Sequence, residues 1–540
     1  MTAGIAVDWC LVCILSLFQY VSQIVLAVLS LVVLLFLSLT LYRLYLHPLS
    51  RIPGPRLAAV SSAWYAYHVR NGHMLYLGQT LHKQYGAVVR VSPNEVWLAS
   101  REAFKTIYSP TNGYEKSYFY LATALLKPRL SWDGWNLSLQ SPDTLDLLAE
   151  RDLKRYRLQR RLIGPVYNAN NVKQYEGSVD AVLDRVIAQV YSLDGAEVDL
   201  KEWMHITVVE CLGAVSISWS PGYLSSKSDG NSGKHAYMGW RRKSVFGIFP
   251  WAVISESLSK SAGRAFANFW GLTYHTPKEG FNPFFPAVQK KITKRVKAGL
   301  RGQPQKNVRK DIMTDLIQLS KSRPEFNEHY LRRMAMSNFG AGHETLTSTL
   351  VSAFAMIGSH SATQARVAKE ARQSSGPLSY EAASQLHFTQ ASIKEAQRLH
   401  PVIGMSLPRK VPEGGMEIHG LHIPSGTTVG CNPVSLHRTP EIFGQDAEVY
   451  RPERWLDETT RKDLDRFNLI YGGGARTCPG RYLAEMLVGK IVPVIIRHFD
   501  IEVTIPPEED MPFYFMAMLT GVKARFIARD SSPDQLMTME

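Results

Sequence analysis

Apolar positions along this chain change period several times, and each change marks an element. From Asp8 to Arg43 no charged residue intervenes, and the run IVLAVLSLVVLLFLSLTLY is apolar on every face. A helix apolar all round and approaching ~20 residues reads as a membrane span, here at residues 20–42. HPLSRIPGPRL follows, with prolines at 48, 53 and 55. Proline fixes φ and removes a backbone donor, so residues 43–55 are expected to form a stiff, non-helical hinge. Helical periodicity returns at 73–86, then gives way to two strand patterns, AVVRVSP and EVWLAS, turning at Pro93-Asn94. Helical patterns dominate from 150 to about 298, interrupted by a Ser/Gly-rich loop near 220–235. A long helix is expected over 325–358, shorter ones over 361–373 and 380–399, and a last one over 481–498. Strand-like pieces occupy 403–430, a strand pair lies within 500–528, and the polar tail 531–540 is expected to be loose. The fold class expected is mainly α with a minor β region behind a single N-terminal transmembrane helix. The globule spans 56–530 and the anchor 1–42.

Composition narrows this only a little. Hydrophobic residues at 45% and charged residues at 20% suit a globular chain that buries one large core. The net charge of +14 suits an anionic membrane surface or an acidic partner. With no zinc-finger spacing and no Arg/Gly-rich tract, nucleic acid is not an expected partner. The five cysteines are widely spaced and odd in number, which argues for a reducing compartment rather than a disulfide framework. Cys10 and Cys13 form a C-x-x-C, but inside the apolar run it carries no metal or redox reading. The apolar run begins acidic and runs too long for a cleaved signal peptide. Arg43, Arg51 and Arg56 on its C-terminal side place the globule in the cytosol by the positive-inside rule.

Chemistry concentrates in LIYGGGARTCPGRYLAEM, residues 469–486. Gly472, Gly473 and Gly474 lack Cβ atoms and let the backbone turn with positive φ and approach a flat ligand. Arg476 is a permanent cation suited to a carboxylate on that ligand. Pro479 fits the first turn of the following helix, whose N-terminal dipole favours a thiolate at Cys478. A phosphate-binding glycine loop is the competing reading. It lacks the lysine–serine/threonine that would follow the glycines, and no strand of a βαβ unit precedes it.

Tyr471-Gly-Gly-Gly474-Ala-Arg476-Thr-Cys478-Pro-Gly480 resembles the cysteine loop F-x-x-G-x-R-x-C-x-G of the cytochrome P-450 family, departing only at the aromatic. The resemblance implies the cytochrome P-450 fold, with Cys478 as axial ligand of haem iron and Gly472, Gly474 and Arg476 against the haem. Tyr471 in place of phenylalanine would put a hydroxyl beside the thiolate. Glu395-Ala-Gln-Arg398 resembles the family's E-x-x-R; Glu448–Arg451 and Glu458–Arg461 have the same spacing, but only Glu395 lies in a long helical run, closed by Pro401. Pro452-Glu453-Arg454-Trp455 resembles P-E-R-F, and the family pattern implies a buried network of Glu395, Arg398 and Arg454. Ala341-Gly342-His343-Glu344-Thr345 resembles A/G-G-x-D/E-T, which implies Thr345 hydrogen-bonding to bound oxygen and Glu344 linking it to solvent. Gly340 and Gly342 each weaken a helix, so a local opening is expected there. Tyr156-x-x-x-Arg160, Arg409 and His437 occupy places where the family contacts haem carboxylates.

The resemblance spans residues 53 to about 529 and is greatest to the membrane-bound, pisatin-demethylase-like fungal branch. It implies a monooxygenase at the endoplasmic reticulum membrane acting on a lipophilic small molecule, in secondary-metabolite biosynthesis or detoxification. Haem b and NADPH are the implied cofactors. The segment after Cys478 is shorter than a flavin domain of roughly 100–150 residues, so the electrons are expected from a separate NADPH-cytochrome P-450 reductase. Apolar stretches at 114–120, 132–135, 402–407 and 513–519 are candidate pocket walls. Two alternatives stand beside this: a haem-thiolate isomerase or dehydratase needing no reductase, and a non-catalytic, membrane-tethered haem sensor. Glu344 and Thr345 weigh against both, since neither needs proton delivery to oxygen.

Overall fold

The structure, a computed structural model, describes residues 2–109, 113–124, 126–133, 136–273, 281, 283–303, 310–373 and 376–529. The tail 531–540, half of the 132–135 stretch and the side chains of Cys10 and Cys13 lie outside the described positions. The apolar N-terminal helix, Thr2–Leu41, runs on through one π-turn, Tyr42–Leu46, so the first part of the expected hinge is helical. Pro48 ends it, holding His47 in extended backbone with ψ 143°. Over Leu17–Leu46 this is, among the described residues, the one helix long and apolar enough to cross a bilayer, and its apolar side chains are exposed. The rest of the hinge is docked on the globule. Arg90 donates to the carbonyls of Arg43 (2.9 Å), Leu49 (3.4 Å) and Pro93 (2.9 Å), and its own N–H goes to Pro53.

One 31-residue helix, Glu328–Gly358, organises the globule. Asn327 caps it, and from Leu346 to Ala355 every residue is buried, as expected of a helix walled in on all sides. Leu200–Ile217, Phe284–Leu300, His387–Leu399 and Arg481–His498 pack around it. Expected and observed helices agree closely at Ser361–Gln373 and Arg481–His498, whereas 380–399 divides into Tyr380–Ser384 and His387–Leu399.

The β component is small and non-local. Five strands lie in the order Val88–Ser92, Glu95–Leu98, Thr428–Gly430, Arg409–Lys410 and Glu115–Lys116. The edge pairing sets Lys116 directly opposite Arg409. Phe499–Thr504, Lys523–Ala528 and Val198–Asp199 form a second sheet.

Candidate functional site

The glycine loop is shaped by its neighbours. Gly472 and Gly474 have φ of 75° and 62°, where a side chain is strained. A Cβ on Gly474 would lie 1.9 Å from the Tyr108 carbonyl oxygen, and one on Gly473 would lie 2.8 Å from Tyr108 Cβ. The close approach that these glycines permit here is thus to the chain's own Tyr108, at the end of the helix Arg101–Tyr108. The loop closes with the Cys478 N–H donating to Tyr471 O at 2.8 Å. The helix begins at Arg481, so Pro479 stands before its first turn rather than in it. Cys478 is half-buried. Burial pushes its thiol above the ordinary range, against the Gly480 amide that donates to the sulfur and the Arg160 charge, which pull it down. The Tyr471 hydroxyl is engaged with Gln397, and the Arg481 guanidinium lies 5.5 Å from its ring centre.

Cations gather around this loop. Tyr156 and Arg160 share one face of the helix Leu153–Ile163, which Asp152 caps. Arg160 donates to the Cys478 carbonyl at 3.4 Å, while its other terminal nitrogen is buried with no protein partner. Arg476 stacks on Tyr156 at 4.3 Å and donates to the carbonyls of Glu150 (2.5 Å) and Arg151 (2.7 Å); its buried Nε has no partner. Arg409 is buried and donates to the Tyr120 hydroxyl at 3.3 Å. Lys116, absent from the sequence-based candidates, is also buried, and donates to the carbonyls of Leu147 (2.9 Å) and Leu148 (2.7 Å). Burial, then the charges of Arg476 and Arg409, hold its ammonium well below the ordinary lysine range. Like charges opposite each other on paired strands are unfavourable, as are buried guanidinium N–H groups without acceptors. Both features fit a ligand that carries carboxylates. The one sequence signal for Lys116 is a lone lysine among aromatics at 114–120, and only the pairing with Arg409 gives it meaning.

His437 is not among these groups. Its Nε2 accepts from the Leu469 N–H at 2.9 Å and its Nδ1–H donates to Arg398 O at 3.0 Å, so it ties the cysteine loop to the glutamate helix. Burial drives its pKa down to about 3. The Glu395 network is complete and buried. Arg398 donates to both carboxylate oxygens at 2.8 Å and Arg454 to one at 2.7 Å. The Trp455 indole N–H adds a bond at 2.8 Å that phenylalanine lacks. Burial opposes ionisation of Glu395, but the Arg398 hydrogen bonds and the charges of Arg398 and Arg454 prevail and hold it below the usual carboxylate range.

On the long helix the expected opening is missing. Residues 340–345 are continuous α-helix. Thr345 Oγ1 donates to Ala341 O at 2.7 Å, as hydroxyls within helices commonly do. Ala341 and Thr345, one turn apart, remain accessible, while His343 and Glu344 are buried on the opposite side. Glu344 accepts from the Trp240 indole N–H at 2.5 Å. Burial raises its pKa, opposed by that bond and by the charges of Lys243 and Lys201. Of the expected walls, 114–120, 402–407 and 513–519 do converge. Phe515 lies 5.2 Å from Phe119 and 5.5 Å from Trp240, and the Gly404 N–H donates to Phe515 O at 2.9 Å.

Comparison with known proteins adds the following. The family model described as cytochrome P-450 matches residues 133–525. The cytochrome P-450 monooxygenase sdnT of Sordaria araneosa is 55% identical over 526 residues, 92% of this chain and 94% of that protein. The cytochrome P-450 monooxygenase gsfF of Penicillium aethiopicum is 29% identical, covering 90% and 94%. A pisatin demethylase of Fusarium vanettenii is 27% identical, covering 86% and 85%.

Proposed function

The chain belongs to the cytochrome P-450 family, and on that premise we propose that it oxidises a lipophilic fungal secondary metabolite, with electrons drawn from NADPH. It is a haem-thiolate monooxygenase, placing one atom of dioxygen in its substrate and taking electrons from a reductase. The observation that carries the assignment of roles is the half-buried Cys478 ringed by Arg160, Arg409, Arg476 and Lys116, two of which have buried N–H groups unpartnered. Cys478 Sγ would ligate the iron of haem b, and the four cations would hold its two carboxylates. Bound haem supplies oxygen activation. Glu395, Arg398 and Arg454 brace the loop that presents the sulfur, and His437 joins the two.

Thr345 and Glu344 move protons. The Thr345 hydroxyl hydrogen, resting on Ala341 O, is one bond rotation from the accessible side of the helix. Its oxygen can accept a replacement proton. Glu344, its pKa raised by burial and its carboxylate turned to Trp240, supplies that proton by way of water rather than by direct contact. Substrate would lie along Phe119, Tyr120, Trp240 and Phe515, an apolar wall suited to lipophilic molecules. The working unit is residues 56–530, held by anchor 1–42 to the endoplasmic reticulum with its globule in the cytosol.

The test is a reduced, carbon-monoxide-treated preparation, expected to show the red-shifted Soret band of a thiolate-ligated haem, which Cys478→Ser abolishes. Deleting the gene in its host should accumulate the substrate. The purified enzyme should convert that compound only with NADPH, a reductase and oxygen; conversion without them would overturn the reading. Thr345→Ala should lower product formed per NADPH without altering the Soret band.

A further inference from the structure

A second concentration of buried titratable groups lies where Leu200–Ile217, Ser232–Ile248 and Glu328–Gly358 meet, on the side of the long helix away from Thr345. Asp229, His205, His343 and Glu344 are 4%, 2%, 2% and 6% exposed. Asp229 lies in the segment 225–230, which leaves the short helix Tyr223–Ser226, and its Ser225, Ser226 and Lys227 are exposed. Its carboxylate accepts from the Gly233 N–H at 2.9 Å and lies 2.7 Å from His205 Nδ1. The His205 ring meets that of His343 edge-on, with centroids 5.5 Å apart. His343 Nε2 is 3.9 Å from Glu344 Oε2. The four groups therefore run in file from the surface segment at 225–230 to Glu344, the residue before Thr345 in the chain.

The His343–Glu344 separation exceeds hydrogen-bond length, and the file holds polar atoms without protein partners. His205 Nε2, His343 Nδ1 and Glu344 Oε1 are buried with no protein partner. Each dry, unpartnered group is costly to bury, a cost that apolar side chains would avoid. Water bridges such atoms when several polar partners converge. We infer that Asp229, His205 and His343, linked by ordered water, form the proton path from the 225–230 segment to Glu344. The inference rests on the monooxygenase reading, in which one oxygen atom leaves as water and takes up protons that the site must import.

Imidazole suits the task because one nitrogen accepts a proton while the other gives one up. Burial first, then nearby His205, Lys243 and Lys201, lowers the pKa of His343 well below the ordinary imidazole range, which suits a group that passes a proton on. The groups facing the file include Lys201, Glu202 and Asp199 at the start of its first helix, Lys234, Tyr237, Trp240 and Lys243 on the second, and Phe284 and Phe285 against His343. Trp240 fixes Glu344 Oε2 and leaves Oε1 to receive.

Two measurements test this. A crystal structure of the holoenzyme should contain ordered waters bonded to His205 Nε2, His343 Nδ1 and Glu344 Oε1; a dry, collapsed file overturns the path. In the reconstituted system with NADPH and reductase, His205→Leu and His343→Leu should at least triple the share of electrons released as hydrogen peroxide. They should also enlarge the solvent isotope effect and shift the pH profile, with an unchanged carbon-monoxide Soret band. His343→Gln, which can still donate and accept, should recover part of the loss. An unchanged peroxide share and isotope effect with an intact Soret band overturn the path while leaving the monooxygenase reading standing. Absence of that band in the wild type would overturn the monooxygenase reading and leave the crystallographic waters as the judge of the file.

Discussion

Glu395 shows how much one buried carboxylate can organise. Five donors converge on it, from Arg398 twice, Arg451 N–H, Arg454 and Trp455. Glu395→Gln removes the charge and leaves Arg398 buried without a counter-ion and Arg454 with Asp446 alone, so urea unfolding should show a loss of about 3–5 kcal/mol. Acid should act in the same direction. Glu395 is held below its ordinary value, so its contribution is present above the ordinary carboxylate range and is lost as pH falls through its folded-state pKa. His400 and His437 are both depressed to about 3 by burial. Between the unfolded value near 6.5 and that figure, the unfolded chain binds protons that the folded chain refuses. Stability is then full above about pH 6.5 and falls by up to about 1.4 kcal/mol per pH unit for each histidine below it. Urea midpoints from pH 8 to about pH 4 should trace that slope, and His437→Gln, which can replace both hydrogen bonds, should flatten it by one histidine's share.

Among elements, the long helix tests what its glycines are for. Gly340 faces open space, with nothing within 4 Å of a Cβ placed there, whereas a Cβ on Gly342 would meet Leu212 at 3.0 Å. Gly340→Ala should raise stability by about 1 kcal/mol in thermal unfolding, from backbone entropy alone. Gly342→Ala should gain less or lose, because Leu212 must yield. A drop in product per NADPH with the better-folded Gly340→Ala enzyme would show that the open space serves substrate or oxygen. The same helix marks the limit of what its sequence discloses. Its extent and the AGHET stretch follow from periodicity and motif, as do the E-x-x-R helix and Arg454, because those are local patterns. That Glu344 turns to Trp240 and the histidines rather than beside Thr345 depends on how separate helices rotate against one another. Lys116 gains its role from strand pairing across almost 300 residues. Tryptophan in place of phenylalanine at 455 is visible in the sequence, but its N–H bond to Glu395, sixty residues away, appears only in the fold.

For the molecule as a whole, charge and anchorage set how it meets its electron donor. Arg43 at the foot of the apolar N-terminal helix donates to Val60 O at 2.5 Å, so that helix and the globule are joined rather than loosely tethered. The helix Leu153–Ile163 bears Lys154, Arg155, Arg157, Arg160 and Arg161 and no acidic residue, and Lys154 and Arg161 are exposed. Arg160 reaches the Cys478 carbonyl from this same helix, so its basic surface lies beside the loop to which electrons must come. In a chain of net charge +14, that face should attract an acidic reductase surface. Screening shortens the reach of such attraction from about 10 Å at 0.1 M salt to about 3 Å at 1 M. The KM for reductase should therefore climb with ionic strength while the Soret band stays fixed. Reversing two of its exposed charges, Lys154→Glu with Arg161→Glu, should raise that KM about tenfold at low salt, equivalent to about 1.4 kcal/mol, and flatten its salt dependence. If the doubly reversed enzyme kept the wild-type KM and salt response, docking would have to be assigned to another face. Haem reduction by dithionite, which needs no docking, should be the same in both proteins and thereby separate a lost encounter from a damaged site.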